Sequence, residues 1–190
     1  MLDPILLRIA KSSILSKFDD EIMIEKNKLL SEYKFLNNYG AAFVTLHYDN
    51  QLRGCIGSIV AHTSLLEDII RNASSAAFHD PRFNSLTKDE FSHLNLEVSV
   101  LSQPKLLEYN DFNDLSEKIR PNIDGLILKH GANQGTFLPQ VWEQLPNPKN
   151  FLEHLSMKAG SNPSIYDNHP QIYTYQVEAM EKKFDDIQEL

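Results

Sequence analysis

The chain has one cysteine, Cys55, in 190 residues. That excludes an intrachain disulfide framework and any zinc or iron–sulfur centre built from several cysteines of this chain. Uninterrupted apolar runs are short, far below the roughly 20 residues that a membrane-spanning helix needs. Glycine is sparse, and Gly54 and Gly57 form neither a GxGxxG nor a Walker phosphate loop. Seven histidines (His47, His62, His79, His93, His130, His154 and His169) are scattered with no HxH or HExxH spacing. No metal site and no cofactor is therefore read from the sequence. Positive charge is also short, with 18 Lys and Arg against 26 Asp and Glu and a net charge of -8. An acidic surface argues against nucleic acid or an anionic membrane as the main partner.

What remains is an ordinary globular composition, 42% hydrophobic and 23% charged. Its length fits one domain, read as residues 1–190, with room for a sizeable core and a small second lobe. Ile5, Leu6, Ile9, Ile14 and Leu15 recur at helical spacing and predict an amphipathic first helix. Asp3, Arg8 and Lys11 interrupt that stretch, which lacks the layout of a signal peptide. With a free thiol, this points to a reducing cytoplasm.

Lys26 to Asn38 reads as a loop or solvated helix. Ala41 to Tyr48 is apolar and rich in β-formers, and Asp49-Asn50 predicts a two-residue hairpin turn into a second strand from Gln51 to Ser58. A regular ladder would pair Tyr48 with Gln51, His47 with Leu52 and Leu46 with Arg53. Ser64-Leu65-Leu66-Glu67 has the form of a capping box opening a helix to Phe78, which ends near Asp80-Pro81. Leu94 to Leu101 alternates as a half-buried strand. Further on, Asp114 to Ile119 reads as a short helix and Leu126 to Leu128 as a strand. Gly131 and Gly135 are expected to bracket a turn. Asn147-Pro148 opens a helix that Gly160 closes. Ile172 to Val177 is the last strand expected, before an acidic tail. The class is α+β, a largely antiparallel sheet covered by helices.

The segment Leu52-Arg53-Gly54-Cys55-Ile56-Gly57-Ser58 is the most informative in the chain. By strict alternation Leu52, Gly54 and Ile56 share one face, and Arg53, Cys55 and Gly57 the other. A guanidinium beside the sulfur would favour the thiolate. Glycine inside a strand costs stability and implies a bulge or the close approach of another group. The alternative is a small buried cysteine with glycines that serve sheet packing. Arg53 and Arg82 are candidate binders of an anion or carboxylate. For Asp80-Pro81-Arg82-Phe83 a rigid turn, with Arg82 ion-paired, is the structural reading. Glu97, on the polar side of its strand, is either an acid/base or orienting group for Arg53, or an ordinary surface glutamate.

In order along the chain, LRGCIG at Leu52 to Gly57, Asp80-Pro81-Arg82-Phe83, and Glu97-Val98-Ser99-Val100-Leu101 resemble the AMMECR-one domain family, labelled AmmeMemoRadiSam system protein A in bacteria and archaea. Asp124-Gly125-Leu126-Ile127, Phe137-Leu138-Pro139-Gln140-Val141-Trp142, Phe151-Leu152 and Lys158-Ala159-Gly160 continue the resemblance over nearly the whole chain. It implies a main lobe and a smaller one, with the Cys55 strand near a cleft. It also implies the company of a Memo-type protein and a radical SAM protein. It supplies no reaction. Tyr166 stands where the family often has tryptophan, and Arg120-Pro121-Asn122-Ile123 lacks a glycine often found before Asp124-Gly125.

The expected site is therefore Cys55, Arg53 and Glu97 for any chemistry, and Gly54, Gly57 and Arg82 for ligand contact. The expected role is to bind or modify a small molecule or a partner's segment, within a shared system. The alternative is a non-catalytic binding or scaffold module in which Cys55 is structural.

Overall fold

The computed structural model describes residues 1–190. The first half runs α1 (Ile5–Leu15), α2 (Lys26–Glu32), β1 (Tyr39–Tyr48), β2 (Gln51–Gly57), β3 (Thr63–Ser64), α3 (Leu65–Phe78) and β4 (Leu94–Leu101). Then come β5 (Lys105–Leu106), α4 (Phe112–Lys118), β6 (Gly125–His130), β7 (Asn133–Phe137), α5 (Pro148–Lys158), β8 (Gln171–Tyr175) and β9 (Val177–Lys183). Two compact units result. Met1–Leu101 and Glu178–Leu190 form the first, and Ser102–Val177 the second. The fold is α+β, as the sequence predicts.

The first unit is a sheet in the order β2-β1-β4-β9, with β3 paired to the start of β1. Alternation along β1 and β4 sends Val44, Leu46, Leu96 and Val98 into one fully buried layer. α3 meets that layer through Leu66, Ile69, Ala73, Ala76 and Ala77, and its alanines bring the helix backbone close. α1 adds Leu6, Ile9, Ala10 and Ile14 to the same core. Each such aliphatic side chain contributes about 1.5–3 kcal/mol by leaving water. Lys11 is buried too, and its Nζ donates to the carbonyls of Phe184 and Ile187 at 2.9 and 2.8 Å. That contact ties the end of the chain to the first helix.

The predicted hairpin is present. Asp49 and Asn50 both have positive φ, 46° and 65°, as a type I′ turn requires. Tyr48 pairs with Gln51 and His47 with Leu52, but Leu46 pairs with Gly54 rather than Arg53. Arg53 is the extra residue of a bulge, which a pattern of strict alternation does not reveal. α3 starts where expected, yet Ser64 supplies only half of the expected box. Its Oγ accepts from the Glu67 N–H at 3.3 Å, while the Glu67 carboxylate pairs with Lys26. The reciprocal box lies at Thr87 and Glu90 instead.

The second unit is a sheet in the order β5-β8-β6-β7. Its core centres on Trp142, stacked on Phe151 with centroids 3.7 Å apart. The Trp142 indole N–H donates to the Asp124 carbonyl at 2.8 Å. Tyr166 is buried in this core, its hydroxyl on the Leu152 carbonyl. Asn147 caps α5 and Gly160 follows its end with φ +80°. Two expectations need correcting here. Gly135 lies inside β7, where a Cβ would come within 2.7 Å of the Ala159 backbone, so its reason is close packing and not a turn. The acidic tail contains β9, a strand whose polar residues carry no strong alternation because it closes the edge of the first sheet. No helix of the protein is long and apolar enough to cross a membrane.

Candidate functional site

In the first sheet, Thr45 of β1 lies opposite both Cys55 of β2 and Glu97 of β4. Residues directly opposite one another share a face, so the three side chains form one row across three strands. The next row on that face is Phe43, Gly57 and Ser99. α3 covers the opposite face. Gly54, paired with Leu46, is turned to that covered side, where a Cβ would stand 2.2 Å from the Ala76 carbonyl oxygen. Gly54 therefore serves helix–sheet packing, and the ligand contact expected of it is not on the Cys55 face. Gly57 is on the Cys55 face, beneath the Phe43 ring, which a Cβ would meet at 2.2 Å.

Cys55 is half-buried. The Thr45 hydroxyl donates to its Sγ at 3.2 Å, and the Ser99 hydroxyl donates to Glu97 at 2.9 Å. Glu97 does not orient Arg53. That role falls to Glu90, which takes Arg53 Nε and Nη2 at 2.6 and 3.1 Å. Arg53 is largely enclosed, its guanidinium 5.9 Å from the Phe83 ring centre, and its Nη1 is buried without a partner. The expectation that Arg53 flanks the sulfur thus fails, because the bulge takes its side chain out of the alternation. Burial pushes the Glu90 carboxyl up, but hydrogen bonds from Arg53 and Thr87 outweigh it and hold Glu90 below the usual range.

The cation that acts on the sulfur is Arg82. Asp80 Oδ2 accepts the Cys55 N–H at 2.9 Å, and Arg82 Nη2 donates to the Cys55 carbonyl at 3.2 Å. Asp80 also takes the Arg82 side chain at 2.9 and 2.7 Å and its N–H at 3.1 Å. The rigid-turn reading of Asp80-Pro81-Arg82-Phe83 is the one the structure bears out. It does more than turn the chain, because it satisfies the free backbone edge of β2 at Cys55. Arg82 holds the Asp80 carboxyl far below the ordinary aspartate range. Burial pushes the Cys55 thiol up, Thr45 and Arg82 pull it down, and Glu97 and Asp80 push it up further. The result is a thiol above its ordinary value of about 8.5, protonated at neutral pH.

A contrast between the two arginines follows. Arg82→Met is expected to slow alkylation of Cys55 by a small reagent by a few-fold near pH 8, since it removes the attracting charge. Arg53→Met is expected to leave the pH midpoint of labelling unchanged. A midpoint that moves with Arg53 and not with Arg82 would reverse the assignment.

Sequence reasoning missed Thr45, whose place opposite Cys55 depends on the bulge, and Glu90. Only the Thr87-x-x-Glu90 box hints at Glu90, and not at its hold on Arg53. A second polar cluster was also missed. The fully buried Asp68 accepts the Ala42 N–H and the Ser58 hydroxyl at 2.9 and 2.7 Å, and is held by Asn72 and Arg71. It joins α3 to the end of the Cys55 strand. His47, one row beyond Thr45, pairs with Glu181 at 3.1 Å and does not approach the sulfur as a partner.

Comparison with known proteins gives one family. The AMMECR1 family model matches residues 7–180. A protein of Methanosarcina mazei is 36% identical over 146 residues, covering 76% of this chain and 73% of its own. Protein LS215_2104 of Saccharolobus islandicus is 38% identical over 177 residues, 88% of this chain and 75% of that one. The crystal structure of uncharacterized protein PH0010 from Pyrococcus horikoshii superposes with a TM-score of 0.78 at 32% identity, covering 94% of this chain and 90% of that chain.

Proposed function

The chain belongs to the AMMECR1 family, and from that premise we propose that the Cys55 face of its first sheet holds a small molecule or a partner's segment for chemistry shared with other proteins. The companions in this reading are a Memo-type protein and a radical SAM protein, taken from the family resemblance. One observation carries it. A half-exposed thiol, a hydroxyl and a carboxylate stand in one row on the sheet face that α3 leaves uncovered. Cys55 offers a polarizable sulfur, held from beneath by the hydroxyl of the buried Thr45, and Glu97 a negative charge. Phe43 offers an aromatic face beside them.

The raised thiol favours binding over covalent catalysis as the resting mode. A neutral thiol is a weak nucleophile, and modification by Cys55 would require the bound molecule or partner to draw its proton away. The test is a reconstituted mixture of the three proteins, with turnover measured for wild type and Cys55→Ser. The expected result is a loss of at least about tenfold in the mixture and no turnover by either form alone. Full activity of the serine variant would take Cys55 out of the role. Turnover by the isolated wild-type chain would replace the cooperative reading with a self-sufficient enzyme.

A further inference from the structure

A groove of the first unit lies away from Cys55, between α1, α2 and the segment Asp19–Glu25 that joins them. It has a volume of about 580 Å³. Its floor is apolar, with Ile5 and Leu29 buried. One wall is the segment itself. From Glu21 to Glu25 exposure alternates: Glu21, Met23 and Glu25 are exposed, while Ile22 and Ile24 are half-buried and pack on the core. That is the pattern of a β-strand with one face on the protein. Yet the segment joins no sheet. It ends at Glu25 in a tight turn, with φ -76°, ψ 78° and the Lys26 N–H on the Ile24 carbonyl at 2.9 Å. An inverse γ-turn of this kind is common where strands end. Its start is still a turn, with the Glu21 N–H on Asp19 Oδ1 at 2.9 Å and the Ile22 N–H on the Asp19 carbonyl at 3.2 Å, so the unpaired extended part is short, Met23 and Ile24. Met23, 77% exposed, stands outward on it with no apolar cover.

The charge of this groove has one dominant sign. Four carboxylates line it, from Glu21, Glu25, Glu32 and Glu189, against the cations Arg8 and Lys28. Arg8 forms no ion pair with those carboxylates; its Nε and Nη2 donate to the Glu189 carbonyl at 3.3 and 2.8 Å. Glu21, Glu25 and Glu32 form no ion pair within the protein. Native proteins often protect a free strand edge with lysine. Here the flanking charges are acidic, and the outward apolar residue between them is a flexible methionine, suited to irregular partners.

We propose that the Glu21–Glu25 segment is a docking edge for an extended, basic segment of a partner protein, in which lysine or arginine alternates with apolar residues. The partner's backbone lies along Met23 and Ile24, whose N–H groups have no partner within the chain, and adds main-chain hydrogen bonds there. Its cations meet Glu21, Glu25 and Glu32, and its apolar residues cover Met23 and enter the groove over Leu29. Charge complementarity selects this occupant over a second copy of the chain, because two copies would bring like charges together.

The probe is a short synthetic peptide of alternating lysine and valine, with capped ends, titrated into the full chain while amide chemical shifts and hydrogen exchange are recorded. The expected result is shift changes and slowed exchange confined to Glu21–Glu25 and α2. Affinity is expected to fall as salt rises. The double variant Glu21→Lys, Glu25→Lys is expected to weaken binding at least about tenfold while its thermal melt stays within a few degrees of wild type, since both side chains are exposed. Met23→Pro, which removes one backbone donor from an exposed position, is expected to weaken binding without changing the charge. Equal affinity for an alternating glutamate and valine peptide, shifts centred elsewhere, or an unchanged affinity in the lysine variant would each overturn the proposal. So would self-association of the chain that the same variant abolishes.

Discussion

Gly54→Ala is expected to be strongly destabilising to the first unit. The added Cβ would stand 2.2 Å from the Ala76 carbonyl oxygen and 3.1 Å from its carbon, both in the backbone of α3. No rotamer relieves that contact. Either α3 lifts from the sheet, opening the layer that holds Leu46, Leu96, Ile69 and Ala73, or β2 shifts against β1. Overpacking of a well-filled core costs about 1–3 kcal/mol and more where backbone must move. Here about 3 kcal/mol or more is expected, against a total stability on the order of 5–15 kcal/mol. The measurement is urea unfolding followed by far-UV circular dichroism. Gly131→Ala is the control. Gly131 sits in a turn with φ +58° and nothing within 4 Å, so its cost is the backbone alone, about 1 kcal/mol. Similar midpoints for the two variants would mean that α3 does not press on β2 as described. Gly57→Ala separates the two motif glycines. Its clash is with the Phe43 ring, a side chain that can swing away, so a smaller loss is expected.

The hairpin, α3, β4 and α5 were legible because each rests on a local signal, a turn pair, a cap or an alternation. Arg53 was misplaced because a bulge obeys no period: strict alternation sends the guanidinium to the sulfur, and one extra residue sends it to Glu90. The glycines carried the hint, since Gly54 required a close neighbour, but they do not say which residue the bulge will contain. Asp80-Pro81-Arg82-Phe83 was legible as a rigid turn, with Arg82 open between an ion pair and a ligand contact. The contact of Arg82 with the Cys55 carbonyl was not, because twenty-seven positions separate the two and only the closing of β2's edge brings them together. β9 escaped for a related reason. Val177-Glu178-Ala179-Met180-Glu181-Lys182-Lys183 is polar enough for an edge, and an edge strand is specified by its neighbour more than by its own pattern.

Replacing Asp80 should alter both the stability of the protein and the chemistry of its thiol, in opposite senses. The Asp80 side chain is 1% exposed and carries three contacts at once: the Cys55 N–H, the Arg82 N–H and the Arg82 guanidinium. Arg82 is 54% exposed, so without its partner it turns to water, and the penalty is smaller than for a fully buried pair. Asp80→Ala is expected to cost about 2–3 kcal/mol, chiefly from the lost charge-assisted bonds and the unpaired Cys55 N–H. The pH dependence has a definite sign. The folded Asp80 carboxyl lies far below its unfolded value of about 3.9, so its contribution is complete above that value and is lost as pH falls below it. Wild-type stability should therefore drop below about pH 4 more steeply than that of Asp80→Asn, in which this carboxylate is absent. The thiol moves the other way. Asp80 is one of the charges that raise the Cys55 thiol, and it also binds the arginine that lowers it. In Asp80→Asn the amide oxygen can still hold the Arg82 guanidinium in place, but the negative charge that raises the thiol is gone, so the thiolate becomes easier to form. Asp80→Asn should thus be less stable yet alkylate Cys55 faster near neutral pH in the folded state, measured at a reagent concentration where unfolding is not limiting. Labelling that only tracks the unfolded fraction, with no shift of the native pH midpoint, would reduce Asp80 to a structural clamp with no hold on the thiol. A faster native thiol with its midpoint moved down would make Asp80 a check on the pull of Arg82, added to the burial that chiefly keeps Cys55 protonated.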